Sequence, residues 1–184
     1  KHLVPPDDVA GVDVVNAEWK MEYDVDVTLE GEGHEVLIAG VHDDLTPIRS
    51  SIDEFRPDIV FNLLEGFADI NTFDQNVVSF LELLRVPYTG CNPRGLILAR
   101  DKALGKKVLL QHDILTPKFQ LMESARERLS PDMKFPLIVK PNAEGSSKGI
   151  GSTSIADNEE QLRVAVKECV EKYRQPALVE EYIS

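Results

Sequence analysis

The segment that most constrains the fold is FPLIVKPNAEGSSKGIG at residues 135–151, where an apolar strand runs into a loop of glycines and serines. The continuous apolar run at residues 137–139 is typical of a strand buried on both faces. Prolines stand before and after it, as they do at the ends of sheet strands. The chain is therefore predicted to build a covered sheet, with Lys140 at the end of one of its strands.

The loop after this strand has the composition of a phosphate-binding loop. Glycines let the backbone turn where side chains would clash, and they expose N–H groups to an anion. Serines add hydroxyl donors, and lysines add charge. These residues are Gly145, Ser146, Ser147, Lys148, Gly149 and Gly151.

The known nucleotide loops do not match. No G-x-x-x-x-G-K-[ST] occurs, and residues 149–153 lack the last glycine of G-x-G-x-x-G, which excludes a Walker loop and a dinucleotide fingerprint. Residues 152–155 are predicted as a strand, so the loop would link two strands and cover phosphates as a flap. A solvated hairpin turn explains the loop alone equally well.

The charge of the chain limits its partners. With 184 residues, 42% of them hydrophobic, the chain can bury a real core, and its net charge is -12. Nucleic acid or an anionic membrane would be repelled by such a charge. Lysines cluster locally at Lys102, Lys106 and Lys107 and again at Lys140 and Lys148, which favours a small anionic ligand.

Cysteine and histidine usage argues against disulfide and metal chemistry. Cys91 and Cys169 show no C-x-x-C spacing, which favours a reducing compartment such as the cytoplasm. Cys169 falls on the apolar stripe of a predicted helix and is interpreted as a buried thiol. The histidines lack ligand spacing, and no serine nucleophile elbow occurs. The four histidines are His2, His34, His42 and His112.

The first half of the chain alternates strand and helix signals. Strands are predicted at residues 35–41 and 58–64. Three helices are predicted as well. The first is capped by Asn16 and ends near Leu29, and the second has Thr46 as its N-cap and Pro47 as its first residue. The third begins at a capping box of Thr72 and Gln75. This order predicts a mostly parallel sheet with crossover helices.

Ligands of parallel sheets bind beyond the carboxyl ends of the strands. The loop with Glu65, Gly66 and Asp69 follows such an end and is a candidate edge of a substrate site. A plain solvated connection explains this loop equally well.

The second half has a different pattern. Residues typical of turns are frequent at positions 87–93, and we predict a domain junction there. The two predicted domains comprise residues 1–90 and 91–184. Asp101 is predicted to cap a short helix that carries lysines, and Asn158 with Gln161 to cap a longer one. Residues 177–183 are predicted as a strand.

Four segments together carry a family resemblance. They are PYTGCNPRG at residues 87–95, ARDK at 99–102, the glycine-rich segment at 135–151, and LVEEYIS at 178–184. In this order and spacing they resemble the ATP-grasp superfamily, most closely its D-alanine–D-alanine ligase branch. The resemblance implies an α/β fold. A parallel-sheet pre-ATP-grasp N-terminal domain would be followed by the first, α+β, ATP-grasp subdomain.

The resemblance also implies roles for individual residues. Lys102 would contact the α-phosphate side of ATP, and Lys140 would neutralise the α- and β-phosphates. A flap would be formed by Glu144, Gly145, Ser146 and Ser147. Its first serine, Ser146, would also position the amino-acid substrate.

The last residues of the chain would receive the adenine ring. A carboxylate or a backbone carbonyl would accept the adenine amino group, and an apolar side chain would cover the ring. The residues concerned are Glu180, Glu181, Tyr182 and Ile183. A half-exposed sheet edge is the alternative interpretation of this segment.

The implied activity is that of an ATP-dependent carboxylate-amine ligase acting through an acyl phosphate. Small-molecule substrates, an amino acid or short peptide besides ATP, are implied, and so is a homodimer formed through the N-terminal domain. The family's magnesium ligands and catalytic arginine lie in a C-terminal subdomain beyond Ser184. Mg²⁺ is therefore expected only with that subdomain, and the chain alone is expected to be inactive.

The substrate determinants differ from the family's pattern. Either Glu18 or Glu22 could orient the first substrate, and FNLLEGFAD at residues 61–69 lacks the family's histidine. A ligase with a different amino acid or peptide is the expectation that follows. The alternative is a non-catalytic nucleotide-binding or assembly module derived from the same fold.

Overall fold

A computed structural model describes residues 3–6, 8–145 and 150–183. The chain forms two compact units, Lys1–Pro93 and Arg94–Ser184. Each unit has its own cluster of buried apolar side chains. That they are independent domains with the extents 1–90 and 91–184 stays a prediction.

The first unit is built around an apolar contact between two helices. Its described helices are α1 (Lys20–Gly31), α2 (Thr46–Phe55) and α3 (Asp74–Leu84). Ile48 of α2 packs with Val77 and Leu81 of α3, and Val86 joins the cluster. The helix predicted to begin near Thr72 is thereby confirmed, and its apolar residues Val77 and Leu81 are buried.

Two predicted helix caps in this unit are wrong. Asn16 ends a short 3₁₀ turn, in which its N–H donates to Asp13 Oδ1 at 3.4 Å, and α1 begins only at Lys20. Thr46 is already the first residue of α2, and its N–H donates to Asp44 Oδ1 at 2.9 Å. Both side chains donate to these aspartates instead of accepting an N–H of the following helix, Asn16 Nδ2 to Asp13 Oδ2 at 2.7 Å and Thr46 Oγ1 to Asp44 Oδ1 at 2.8 Å.

The predicted capping box of Thr72 and Gln75 is also wrong. A 3₁₀ turn, Asn71–Phe73, occupies this position, and α3 follows it at Asp74 without a side-chain cap at Phe73. Because Thr72 lies inside this turn and Phe73 directly precedes α3, Thr72 is not the N-cap of the helix.

The parallel sheet expected in this unit stays a prediction. Within the described residues, no strand is assigned at 35–41 or 58–64, and Leu37 and Ile38 are 49% and 43% exposed. One parallel bridge is present, in which the Val60 N–H donates to Pro87 O at 2.8 Å and the Thr89 N–H to Val60 O at 3.0 Å. A buried strand needs hydrogen-bonded neighbours, and the predicted first strand has none in the described part of the chain.

The second unit contains an antiparallel four-stranded sheet in its described residues. The strands are β1 (Phe119–Met122), β2 (Leu137–Pro141), β3 (Ile155–Ala156) and β4 (Ala177–Glu181), in the spatial order β1-β4-β2-β3. The helices are α4 (Pro93–Arg100), α5 (Lys102–Gln111) and α6 (Glu159–Tyr173). The strands predicted at 137–139 and 177–183 are confirmed, the second ending two residues early.

The glycine-rich loop does connect two paired strands, as predicted. It leaves β2 and returns to β3, which pairs with β2 antiparallel. The strand predicted at 152–155 is shorter than expected, because Ser152–Ser154 form a 3₁₀ turn and β3 begins at Ile155.

The two faces of this sheet carry different residues. Successive side chains of a strand point to opposite faces. Leu137 and Val139 of β2 and Val179 of β4 pack against α6 in the core, and all three are at most 2% exposed. Lys140 and Glu180 occupy the alternate positions and lie on the other face. Burial of β2 is thus complete on one face and partial on the other.

The caps predicted in the second unit are confirmed. Asp101 accepts the Leu104 N–H at 2.9 Å at the start of α5, and Asn158 accepts the Gln161 N–H at 3.0 Å at the start of α6. Cys169 on α6 is buried, as predicted, and burial raises the pKa of its thiol to about 11. A thiol with such a pKa stays protonated and serves packing.

The Asn158 cap provides a test of this helix. Asn158→Ala should destabilise the second unit by about 1 kcal/mol, because an N–H of the first turn loses its acceptor. Urea denaturation would measure the change, and Asn158→Asp, which keeps an acceptor, should retain the stability. Equal midpoints for the alanine variant and the unchanged protein would contradict the capping role.

Over the residues that the structure describes, no helix has both the length and the apolar character needed to cross a bilayer.

Candidate functional site

A cleft lies in the second unit, on the sheet face opposite α6. Its volume is about 340 Å³, within the range of small-molecule sites. We call it the lysine cleft, because three lysines and one glutamate line it together with apolar and backbone groups. The lining residues are Leu98, Ala99, Lys102, Gly105, Lys106, Leu109, Pro117, Lys140, Leu178 and Glu180.

Glu180 is the centre of the charged groups in the lysine cleft. Its side chain is only 7% exposed, and its Oε2 lies 2.8 Å from Lys106 Nζ. Lys140 Nζ donates to its Oε1. The register explains this second contact: Lys140 is paired with Leu178 across β2 and β4, so Glu180 is its diagonal neighbour on the same face.

The lysines keep Glu180 ionised. Burial alone would raise its pKa, but the hydrogen bonds and charges of Lys106 and Lys140 outweigh burial, so the pKa of Glu180 is lowered. Three lysines thus face one carboxylate, and the cleft is positively charged in an acidic protein. Such a site attracts an anion.

Lys102 fastens the beginning of the glycine-rich loop. Its Nζ donates to the carbonyl oxygens of Pro141, at 3.0 Å, and Asn142, at 3.3 Å, and also to that of Glu144. Burial lowers its pKa, and the charges of Lys140 and Arg100 act in the same direction, whereas the carboxylates of Glu144 and Glu180 oppose this shift. Since its partners here are neutral carbonyls, its positive charge is not cancelled within these contacts.

Asn142 is a structural residue that the sequence interpretation missed. It is 8% exposed, its Nδ2 donates to Asp101 Oδ1 at 2.9 Å, and its Oδ1 accepts the Ala103 N–H at 3.0 Å. The Lys102 N–H donates to its carbonyl at 3.2 Å. An amide directly after a buried strand was the available signal, because such a side chain must find partners.

Lys106 was predicted only as part of a lysine cluster and not as a site residue. It lies four positions after Lys102, and this spacing places both side chains on the same face of α5. Its contact with Glu180 depends on how α5 and β4 are arranged in space. That arrangement cannot be derived from spacing along the chain.

The described part of the flap is held by contacts from neighbouring segments. Glu144 Oε1 accepts from Gln175 Nε2 at 3.0 Å, and the Ala143 N–H donates to Gln175 Oε1 at 2.5 Å. A Cβ added at Gly145 would lie 3.3 Å from Arg100 Nη1, so a larger residue would crowd the arginine. The flap predictions at Ser146 and Ser147 lie outside the described residues.

The predicted adenine segment is only partly at the cleft. Glu180 lines it, whereas Tyr182 and Ile183 are 40% and 70% exposed. The backbone continues the sheet edge, with the Glu181 N–H donating to Lys118 O and the Tyr182 N–H to Pro136 O, both at 3.0 Å. The adenine role of all four residues, Glu180 included, stays a prediction.

The two candidate carboxylates of the first unit differ in their surroundings. Glu22 Oε2 is buried without a hydrogen-bond partner within the described residues. Glu18 makes at least one polar interaction.

The candidate loop after Leu64 is tightly turned. Ala68 and Asp69 both have positive φ, 52° and 61°, and Asp69 Oδ2 lies 3.5 Å from His42 Nε2. A Cβ at Gly66 would lie 3.2 Å from the backbone of Asn71, which explains the glycine. Across residues 3–6, 8–145 and 150–183, no cluster of three or more His, Cys, Asp or Glu side chains could hold a metal ion.

Known proteins resemble this chain in sequence. A family model described as the D-ala D-ala ligase C-terminus matches residues 108–184. The uncharacterized protein y4sG of Sinorhizobium fredii is 36% identical over 159 residues, which are 82% of this chain and 45% of that protein. The D-alanine–D-alanine ligase of Moorella thermoacetica is 30% identical over 169 residues, 87% of this chain and 52% of that protein.

Solved structures agree with these sequence matches. D-alanine–D-alanine ligase from Bacillus anthracis has a TM-score of 0.72 and 26% identity, covering 90% of this chain and 52% of its own. The structure of that ligase complexed with ATP has a TM-score of 0.56 and 27% identity, covering 74% and 45%. The chain spans about half the length of the relatives it matches.

The α/β fold and these relatives place the chain in the ATP-grasp superfamily. Within it, the chain is a relative of the D-alanine–D-alanine ligases, and the resemblance stated from the sequence is confirmed.

Proposed function

We propose that this chain carries the ATP-binding part of an ATP-dependent carboxylate-amine ligase resembling D-alanine–D-alanine ligase. The observation that carries the proposal is the lysine cleft, in which Lys102, Lys106 and Lys140 surround Glu180 in an otherwise acidic chain. The ATP complex of the related ligase from Bacillus anthracis supports it. The comparisons do not favour a non-catalytic module, since the named ligases among the relatives are enzymes.

The charged side chains of the lysine cleft suit the phosphates of a nucleoside triphosphate. Lys102 and Lys140 would hold the phosphates as flexible point charges. Glu180 would accept the adenine amino group, with Glu181, Tyr182 and Ile183 beside it. The flap of Glu144, Gly145, Ser146 and Ser147 would cover the phosphates, and Ser146 would position the amino-acid substrate.

The proposed reaction has two steps. A substrate carboxylate attacks the γ-phosphate of ATP, giving an acyl phosphate and ADP, and an amine then displaces the phosphate. This chain's residues contribute charge neutralisation and positioning, which dominate catalysis of such transfers. Mg²⁺, when bound, would neutralise further phosphate charge, and none of the described residues is assigned to it.

The function is tested by measuring ATP consumption in the protein at its natural length. The protein would be incubated with ATP, Mg²⁺ and, in turn, D-alanine, other amino acids and dipeptides. We expect ADP release that depends on one of these amine or acid substrates, with a matching amide product by mass spectrometry. ATP consumption that no amino acid or peptide stimulates, or no consumption at all, would contradict the proposal.

Lys140 provides the site-directed test. Lys140→Met should weaken ATP binding by about 10- to 100-fold, the effect of losing one hydrogen bond to a charged group. Isothermal titration calorimetry would measure the affinity. Lys167→Met is the matched control, because Lys167 is 66% exposed on α6 and should leave the affinity unchanged. Equal affinities for the two variants would refute the phosphate role of Lys140.

A further inference from the structure

We infer that Lys106 is a positioning residue that remains the counter-ion of Glu180 when Lys140 leaves Glu180 for the nucleotide phosphates. The inference rests on the proposed ATP binding and assigns different tasks to the two lysines. Lys106 is the fixed partner of the carboxylate, and Lys140 is the exchangeable one.

Lys106 is held from several sides. Besides Glu180 Oε2 at 2.8 Å, its Nζ contacts Thr116 Oγ1 at 2.5 Å and Pro117 O at 3.4 Å. It lies 5.4 Å from the centre of the Phe119 ring, a cation–π distance. Its side chain is only 13% exposed. Moving this ammonium group would break all of these contacts at once.

Lys140 is held less firmly. Its ammonium group bonds to Glu180 Oε1, and its side chain is 23% exposed, almost twice the value for Lys106. Among the described residues, Lys140 has no carbonyl or hydroxyl partner beside its ion pair, so its ammonium group can turn toward a new anion at lower cost. Lys140 is therefore the lysine that a triphosphate would attract.

The exchange matters because Glu180 is buried. The charged groups that face it are Lys102 and Lys106 from α5 and Lys140 from β2, while β1 contributes the uncharged Phe119. Lys102 is engaged with the loop carbonyls and does not contact Glu180. Without Lys106, a Glu180 that lost Lys140 would be a buried carboxylate with no direct counter-ion. Such a group takes up a proton.

Proton uptake distinguishes this role from a merely structural one. In Lys106→Met, Glu180 is still paired with Lys140 in the free protein and is ionised near neutral pH. When ATP draws Lys140 away, Glu180 should bind a proton, so that ATP binding takes up close to one proton more than in the unchanged protein. As pH rises, the ATP affinity of the variant should then fall more steeply than that of the unchanged protein. The additional decrease is up to about tenfold per pH unit, the slope expected for one coupled proton.

The experiment is isothermal titration of the natural-length protein with ATP at pH 6.5, in two buffers of different ionisation enthalpy. Lys107→Met is the matched control, since Lys107 is exposed and adjacent on α5. We expect the proton surplus in Lys106→Met, none in Lys107→Met, and restoration of the normal count in Lys106→Arg. Protons released or bound by ATP itself are common to all variants. If the methionine variant does not fold, Lys106→Gln should show the same surplus.

The outcomes separate the two proposals. ATP binding by the unchanged protein, with equal proton counts in the Lys106 and Lys107 variants, would overturn the exchange alone. Absence of ATP binding by the unchanged protein would overturn the proposed function and the exchange with it. Weaker binding by Lys106→Met without a proton surplus would make Lys106 a direct phosphate ligand or a packing residue and would also refute the exchange.

Discussion

Glu180→Ala should destabilise the second unit by about 3 kcal/mol, because removing one partner of a buried ion pair leaves the remaining charges uncompensated. Lys106 and Lys140 would be left facing each other at 13% and 23% exposure. Urea denaturation followed by far-UV circular dichroism would measure the loss. Fluorescence is unsuitable, since the single tryptophan, Trp19, lies in the first unit.

Glu168→Ala is the control for this measurement, because Glu168 is exposed on α6 and its removal should change the stability little. The pH dependence provides a second check. Since the pKa of Glu180 is lowered in the folded state, its contribution is present above the unfolded pKa of about 4.3 and is lost as pH falls through the folded pKa. The alanine variant should therefore lose less stability on acidification than the unchanged protein. Identical acid profiles, or equal stability of the two glutamate variants, would refute the importance of the ion pairs.

Leu137→Ala should cost about 2 to 5 kcal/mol, the range for truncating a buried leucine and leaving a cavity. Leu137 is 0% exposed at the centre of the sheet, where it packs against α6. Denaturation of the second unit would again be the measurement. Leu115→Ala is the matched control, because Leu115 is 97% exposed in the same unit and loses almost no buried surface on truncation.

The two leucine variants test the position of the core directly. A cost for Leu115→Ala as large as that for Leu137→Ala would show that β2 is not at the centre of the core. A cost below about 1 kcal/mol for Leu137→Ala would do the same, because it falls under the range for buried leucines.

The predictions made from the sequence succeeded where the cause of a structure is local. The β2 strand follows from a short apolar run between prolines, and the caps at Asp101 and Asn158 follow from residues three positions apart. The predicted caps at Asn16 and Thr46 are wrong because both side chains donate to Asp13 and Asp44, a few positions upstream, which a pattern centred on the helix start ignores.

What the sequence could not provide depends on contacts between distant segments. Lys140 and Glu180 are forty positions apart, and only the β2–β4 register makes them diagonal neighbours. Lys106 reaches Glu180 because α5 covers the same sheet face. The family resemblance indicated Lys102, Lys140 and Glu180 as site residues, but it did not indicate how their charges are paired.

The contacts of Asn142 have a consequence for the energetics of binding. This one side chain joins the end of β2 to the start of α5, and the Asn142 N–H also donates to Pro176 O at 3.2 Å. Residues 141–144 are thereby ordered during folding. The entropy cost of ordering them is therefore absent from the free energy of binding a ligand. The start of the glycine-rich loop is thus preorganised, and Asn142 would strengthen the proposed binding of ATP by lowering the entropy cost of association.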